Sequence, residues 1–412
     1  MNIVWVKAGG MVPLDSGGRL RSFHIARELA KAHKVTLFTF YVEEPNDEHN
    51  NLTSLFDKVI THPLKIRSGR GLGEALRYLA TCLAPLPYSI TKYCRPEVAR
   101  HLRGVLGAEK YDVIVCDFLN AADVIPFDWG VPVVIFTHNV EAMIWKRHWE
   151  VAENLLWKFV YHREFNKMQA AELRFLRRSA HVLTVSDTDT NFFARDIDRA
   201  KITTIPTGVE IDYFRPMGGE ELDSLVFTGS MDWMPNEDAI LYFVNDVLPL
   251  IRKRRPNTKL SVVGRKPGRK VKALAESDPG IKVTGRVEDV RPYIAKGSVY
   301  IVPLRVGSGT RLKIFEAMAM GKAVVSTTIG AEGLPVTTGS DIILADDPEH
   351  FANAVCGLLG SPEERKRLGD AARKLVEEKY GWAAVAKHVE NVLGSQSRRQ
   401  TSGLHPGPQD RA

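Results

Sequence analysis

A chain of 412 residues is long enough for two or three domains, each able to bury its own core. Its 44% hydrophobic and 25% charged residues are ordinary globular values and exclude a disordered, collagen-like or disulfide-scaffold class. Lysine plus arginine number 56 against 49 acids, a formal net charge of +7.

The first apolar run, 2–6, reads as a strand and lacks the basic, apolar, small-residue order of a signal peptide, so a cytoplasmic protein is expected. Strand-like runs then recur at 34–40, 112–116, 132–136, 181–185 and 201–205, separated by helical patterns at 19–32, 96–106 and 153–178. The rhythm restarts at 224–228, 258–263, 281–283, 298–302, 323–326 and 341–344, with helices near 236–254, 289–296, 312–320, 348–359 and 362–379. Short apolar strands alternating with helices predict parallel sheets covered on both faces, an α/β class built from two doubly wound domains. The stretch 206–221, which holds Pro206, Gly208, Pro216, Gly218 and Gly219, reads as the join. The expected organisation is therefore a first domain over 1–207, a second over 208–379, a C-terminal helix over 380–393 placed to cross back to the first domain, and a disordered polar tail over 394–412.

No apolar run reaches the ~18 residues that a spanning helix requires. Cys82, Cys94, Cys116 and Cys356 match neither a zinc spacing nor a disulfide framework, and no metal site is expected. Asp187-Thr-Asp189 imitates a metal motif, but it follows a strand and opens a helix, where Ser186 or Asp187 serves as N-cap. Asn51-Leu-Thr53 has the form of a glycosylation sequon, without meaning in a chain that is not secreted. Basic residues concentrate at 65–110, nine against three acids, and at 252–272, ten against none. With no nucleic-acid motif beside them, these segments suit anionic small molecules or an anionic membrane face, or else are solvated surface.

Neither a dinucleotide nor a P-loop fingerprint is present. Instead two glycine-rich turns each open a helix, Asp15-Ser-Gly-Gly-Arg-Leu-Arg21 and Gly307-Ser-Gly-Thr-Arg-Leu-Lys-Ile-Phe-Glu316. Both helices begin with cations, Arg19 and Arg21 in one, Arg311 and Lys313 in the other, although a helix N-terminus favours acids. A strand, a glycine turn and a helix start make an anion site, so a diphosphate clamp is expected.

The run GSGTRLKIFEAMAMGKAVVST at 307–327, with VYIVPL before it, resembles the signature of the group 1, or family 4, retaining glycosyltransferases of GT-B fold. Supporting pieces occur in order: Gly17-Gly18-Arg19, Phe136-Thr-His-Asn-Val-Glu141, Val185-Ser186, Ile205-Pro-Thr-Gly-Val-Glu210, Val226-Phe-Thr-Gly-Ser-Met-Asp232 and Val262-Val-Gly264. The resemblance, closest to an exopolysaccharide-type branch, implies two Rossmann-like domains facing a cleft and transfer of a hexosyl unit from a nucleoside-diphosphate sugar to a saccharide or lipid-linked acceptor. It implies no cofactor beyond the donor. It implies donor-binding roles for Gly17, Gly18, Gly229, Ser308, Gly309, Thr310 and Glu316, with Glu316 on the donor ribose; Arg311 and Lys313, where the family usually has Gly-Leu-Pro, join the donor-binding set from the cationic helix start. His138, Arg311 and Lys313 are the candidate catalytic residues. A lone histidine after an apolar strand is ordinarily structural, but the family match implies contact with the donor sugar.

The family pattern is incomplete. Its first glutamate falls on Ser308, and the arginine and lysine of the loop that opens the second domain fall near Ser230 and Asn236. Arg311 and Lys313 are placed to restore that charge. A nucleotide-sugar epimerase and a non-catalytic partner protein of the same fold remain as alternatives.

Overall fold

The computed structural model describes residues 1–14, 16–41, 47–64, 78, 84–93, 95–306 and 311–402. The chain divides into two compact units, one formed by Met1–Pro206 with Val385–Ala412 and the other by Thr207–Ala384. Each has its own parallel sheet.

The first unit holds seven strands: β1 Asn2–Ala8, β2 Lys34–Tyr41, β3 Lys58–Pro63, β4 Val113–Asp117, β5 Val133–Phe136, β6 His181–Thr184 and β7 Ile202–Thr204. Their order is β3-β2-β1-β4-β5-β6-β7. The central strands are apolar runs buried on both faces, as sheets covered twice by helices require. Trp5, Phe38, Phe40 and Phe136 fill this core. Edge strand β3, Lys-Val-Ile-Thr-His-Pro, is only half-buried, and its sequence carries too weak an apolar signal to be expected.

Helix α1, Gly17–Ala30, follows β1; helix α2, Glu141–Val151, follows β5 and turns directly into α3, Leu155–Arg178. No side chain of its own caps the start of α2. Glu172 of α3 does so, its carboxyl oxygens accepting the backbone N–H groups of Glu141 at 2.7 Å and Ala142 at 3.1 Å.

The second unit has six strands: β8 Ser224–Thr228, β9 Lys259–Val263, β10 Ile281–Val283, β11 Val299–Val302, β12 Val324–Ser326 and β13 Ile343–Leu344, ordered β10-β9-β8-β11-β12-β13. Helices α4, Met234–Tyr242, and α5, Leu312–Ala319, follow β8 and β11. Phe227, Phe243, Tyr300, Phe315 and Phe351 are its largest fully buried side chains.

The final helix, α6, spans Trp382–Ser402. This corrects the expected disordered tail from 394, because the helix continues through 394–402 while 403–412 lie outside the described residues. Val385, Val389 and Leu393 are buried along it, and the buried side extends to Gln396, where burial of a polar side chain leaves no apolar signal in the sequence.

Candidate functional site

In both sheets the order of strands reverses beside the first strand of the unit, between β1 and β4 and between β8 and β11. Open α/β sheets bind ligands outside the carboxyl ends of their strands at such switch points. The candidate residues gather at these two places.

In the first unit, Lys7 of β1 lies directly across the parallel ladder from Asp117, the last residue of β4. Four donors converge on that carboxylate: Trp5 Nε1 and Lys7 Nζ, both at 2.9 Å from Oδ2, and Ser22 Oγ at 3.0 Å and His138 Nε2 at 2.8 Å from Oδ1. Asp117 is 0% and Lys7 2% exposed, so water contributes nothing to their balance. Burial alone would raise the Asp117 carboxyl, but the Lys7 charge and the hydrogen bonds from His138 and Lys7 outweigh it and hold it well below the usual carboxylate range. Burial pulls Lys7 down, with Asp117 opposing.

His138, two residues beyond β5, is fixed at both nitrogens. Arg21 Nη1 lies 3.2 Å from its Nδ1. A guanidinium only donates and a carboxylate only accepts, so Nδ1 is bare and the proton sits on Nε2, facing Asp117. Burial drives this imidazole down to about 4, so it is neutral at physiological pH. The Phe118 ring stacks on it, with centroids 3.9 Å apart and planes inclined by 15°, and the Lys7 ammonium sits 4.3 Å from the same ring. Phe118 holds φ at +67°, a backbone state that side chains other than glycine seldom adopt. Space for that ring is made by Gly18, where a Cβ would lie 2.5 Å from Phe118 Cζ. Gly18 is thus a clearance for Phe118, while Gly17 opens α1 with Ser16 at its N-cap. Arg19 turns away, donating to the carbonyls of Gly9 at 3.1 Å and Pro13 at 3.4 Å across the turn between β1 and α1. Ser186 is the N-cap of the helix Asp187–Phe193, its hydroxyl accepting the Asp189 N–H at 3.1 Å.

In the second unit the loop after β8 is zipped to the loop after β9, Gly229 N–H to Val263 O and Met231 N–H to Arg265 O, both at 2.9 Å. Gly264 permits this approach, since a Cβ there would fall 1.7 Å from the Gly229 carbonyl oxygen. Lys313 reaches from the first turn of α5 into the β8 loop. Its Nζ donates to Asn236 Oδ1 at 2.6 Å, lies 4.2 Å from the Phe227 ring centroid, and would stand 2.8 Å from a Cβ on Gly229. Asn236 in turn donates to the Ser230 carbonyl at 2.8 Å. Arg265, beyond β9, donates through Nε to Ser230 Oγ at 2.7 Å. The two positions where the family pattern has cations are thus each touched by a cation from a neighbouring strand end.

Desolvation lowers Lys313 to about 7 and raises Glu316, one helical turn on, to about 7. Arg311, at the N-cap of α5, is 3% exposed; its Nη2 donates to the Ile329 carbonyl at 2.9 Å and lies 3.6 Å from Glu332. Ser308, Gly309 and Thr310 lie outside the described residues. Among the described residues no three His, Cys, Asp or Glu side chains are grouped so as to hold a metal ion. Also among them, no helix is long and apolar enough to cross a membrane.

Sequence reasoning missed Lys7, Asp117 and Arg265. A lysine one residue before the end of β1 and an aspartate at the end of β4, in otherwise apolar runs, were the available signal for the first two. Arg265 stood within a basic segment that had no motif of its own.

Two family models match the chain: Glycosyltransferase Family 4 over residues 16–213 and Glycosyl transferases group 1 over residues 223–361. An MMP alpha-(1->4)-mannosyltransferase of Mycolicibacterium hassiacum is 25% identical over 399 residues, covering 90% of this chain and 92% of that protein. An uncharacterized 44.6 kDa protein in the cps region of Klebsiella pneumoniae is 22% identical over 394 residues, covering 92% and 96%. Among solved structures, Anabaena HepE in complex with UDP superposes with a TM-score of 0.64 at 14% identity, covering 96% of this chain and all of that one. Sucrose-phosphate synthase of Thermosynechococcus elongatus gives 0.62 at 17% identity, covering 98% of this chain and all of that one. Two parallel switch-point sheets, two family models that between them take in most of the chain, and neighbours of this architecture place the chain among the group 1, family 4 glycosyltransferases of GT-B fold.

Proposed function

We propose that this glycosyltransferase moves a hexosyl unit from a nucleoside-diphosphate sugar to an acceptor hydroxyl, with retention at the anomeric carbon and without a metal ion. The observation that carries it is the Lys313 ammonium beside Gly229 and Asn236 at the β8–β11 switch point, in the loop that lacks cations of its own. Transfer requires stabilising the charge that develops on the departing diphosphate, and preorganised donors in a partly closed site do this without reorganising. Lys313 and Arg265 are the side chains at that loop, and the start of α5 with Arg311 stands next to it. Arg311 is already bonded to Ile329 and Glu332, so its contribution is to hold the helix start in place. Glu316 accepts from the donor ribose.

In the first unit, the neutral His138 offers no unengaged nitrogen, so it meets the sugar through its ring edge and through the order it imposes on Arg21 and Phe118. HepE bound to UDP-glucose supports a nucleotide-sugar donor, and the named mannosyltransferases support a hexosyl unit. The acceptor is a saccharide or a lipid-linked saccharide of cell-surface polysaccharide or glycolipid synthesis, met by a cytoplasmic enzyme in peripheral contact with an anionic membrane.

Calorimetry with UDP, GDP and ADP, and with the matching nucleosides, tests this. Losing one charge-assisted hydrogen bond weakens binding roughly 10- to 150-fold, so Lys313→Ala should lower diphosphate affinity by that factor and leave the nucleoside unchanged. Equal diphosphate affinity in parent and variant would remove the basis of the proposed clamp.

A further inference from the structure

Among the described residues, sixteen large hydrophobic side chains are exposed, and six of them fall within Ile144–Phe159. They sit on the hairpin of α2 and α3. Val151 is 76%, Leu155 83%, Leu156 68%, Trp157 53% and Phe159 66% exposed. Helix starts ordinarily present polar side chains to water. Here the first turn of α3, capped by Asn154 Oδ1 accepting from Leu156 N–H at 2.9 Å and Trp157 N–H at 3.3 Å, is a well-formed helix end whose surface is apolar.

The flanks of this apolar tip are aromatic and basic. Three of the chain's seven tryptophans, Trp145, Trp149 and Trp157, stand on it, with Tyr161 and Trp157 stacked at 5.7 Å and Trp149 tilted against His162 at 4.4 Å. Across residues 144–164 the cations Lys146, Arg147, Lys158 and Arg163 outnumber Glu150, Glu153 and Glu164 by one; Arg163 is paired with the buried Glu164 at 2.8 Å and Lys146 lies 3.8 Å from Glu150, which leaves the exposed Arg147 and Lys158 against Glu153. Apolar groups at a projecting end, tryptophan and tyrosine behind them and a cationic surplus around both match the layers of an anionic bilayer: acyl chains, interface and headgroups.

The hairpin is also tied to the site. Helix α2 starts three residues after His138, is capped by Glu172 of α3, and runs 11 residues to the tip, about 16 Å at 1.5 Å per residue.

We infer that the α2–α3 hairpin tip is a membrane-docking element that inserts Leu155, Leu156, Trp157 and Phe159 into an anionic lipid surface and presents the site beside His138 to an acceptor held there. This rests on the reading that the acceptor is met at a membrane. The test is sedimentation of the full chain with vesicles of phosphatidylglycerol and phosphatidylethanolamine, against vesicles of phosphatidylcholine alone. A parallel arm measures Trp fluorescence quenching by brominated acyl chains.

Anionic vesicles should bind the parent and quench its fluorescence. The Leu155→Asp/Leu156→Asp variant should bind on the order of 100-fold more weakly, because two leucines no longer enter the lipid. Both side chains are solvent-facing, so the variant should keep the parent's Tm and its UDP affinity by calorimetry. Unchanged vesicle binding by the variant would overturn the hairpin assignment while leaving membrane contact intact. A parent that binds neither vesicle would overturn both, with retained UDP binding preserving the transferase reading. Self-association of the parent in sedimentation velocity, abolished in the variant, would overturn it in favour of a second copy of the chain as the occupant.

Discussion

Removing the Asp117 charge should be among the most damaging single changes available in the first unit. Asp117→Asn leaves Lys7 with no counter-ion at 2% exposure, and places an amide N–H₂ where one carboxylate oxygen had accepted two donors. Breaking a buried ion pair by removing one partner costs about 3–5 kcal/mol. In a unit of this size each kcal/mol lowers Tm by roughly 2–4 °C, so the transition of the first unit should fall by roughly 6–20 °C. Differential scanning calorimetry reads this, because it resolves the two units if they melt separately. Adding Lys7→Met removes the stranded ammonium, and the double variant should recover about 2 kcal/mol or more of the loss.

The pH dependence gives a second check. Asp117 is held below its ordinary range, so its contribution is complete above the normal carboxylate pKa and disappears as pH falls through the depressed value. The parent should therefore lose stability in acid more steeply than Asp117→Asn. A variant within about 1 kcal/mol of the parent, or a double variant no more stable than Asp117→Asn alone, would refute the account of this cluster.

At Gly229 an added Cβ would come nearest to two flexible side chains, Asn236 at Nδ2 2.7 Å and Cγ 3.0 Å and Lys313 at Nζ 2.8 Å; Gly229→Ala should lower UDP affinity in calorimetry while leaving Tm nearly unchanged, and a large Tm loss would contradict it. Gly18→Ala should do the reverse, destabilising the first unit by about 1–3 kcal/mol through displacement of Phe118, with partial rescue by Phe118→Leu in thermal melts. Burial holds Lys313 at about 7, whereas a bound diphosphate favours its charged form; UDP binding at pH 8 should take up as much as about one proton, read from calorimetry in buffers of different ionisation enthalpy, and Lys313→Arg should abolish the uptake. Turnover should survive EDTA, and loss of rate restored by Mg²⁺ or Mn²⁺ would overturn metal-independent transfer.

The two-sheet plan was legible because parallel strands buried on both faces leave continuous apolar runs, as in Ile3–Val6 and Val113–Cys116. The hidden elements depend on distant partners. Helix α2 escaped notice because its N-terminus is satisfied by Glu172, 31 residues beyond Glu141, and not by a local cap. Strand β3 is an edge strand held by one neighbour, with little apolar surface to mark it.

The site divides in the same way. Glu316, Lys313 and the second glycine turn stand in a contiguous block of sequence, but Asp117 gains meaning only when β1 and β4 are laid side by side. Gly18, expected to cradle phosphate, is explained by the ring of Phe118, a residue 100 positions away. His138 is legible as a position and not as a chemical state, since its tautomer is set by Arg21 and Asp117 together.

The first unit is discontinuous, closing only with Val385 and the residues after it, whereas the second is one uninterrupted stretch, Thr207–Ala384. Chains leave the ribosome from the N-terminus, and the leading domain ordinarily folds first. Here the leading unit emerges incomplete, without the helix face that carries Val385, Val389 and Leu393, and must wait through the synthesis of the whole second unit. The trailing unit can finish before the leading one, so a stop codon a few residues short of Val385 would spare the whole second sheet and nearly all of its unit, and strand the older unit with an uncovered apolar flank, an aggregation hazard for the nascent chain.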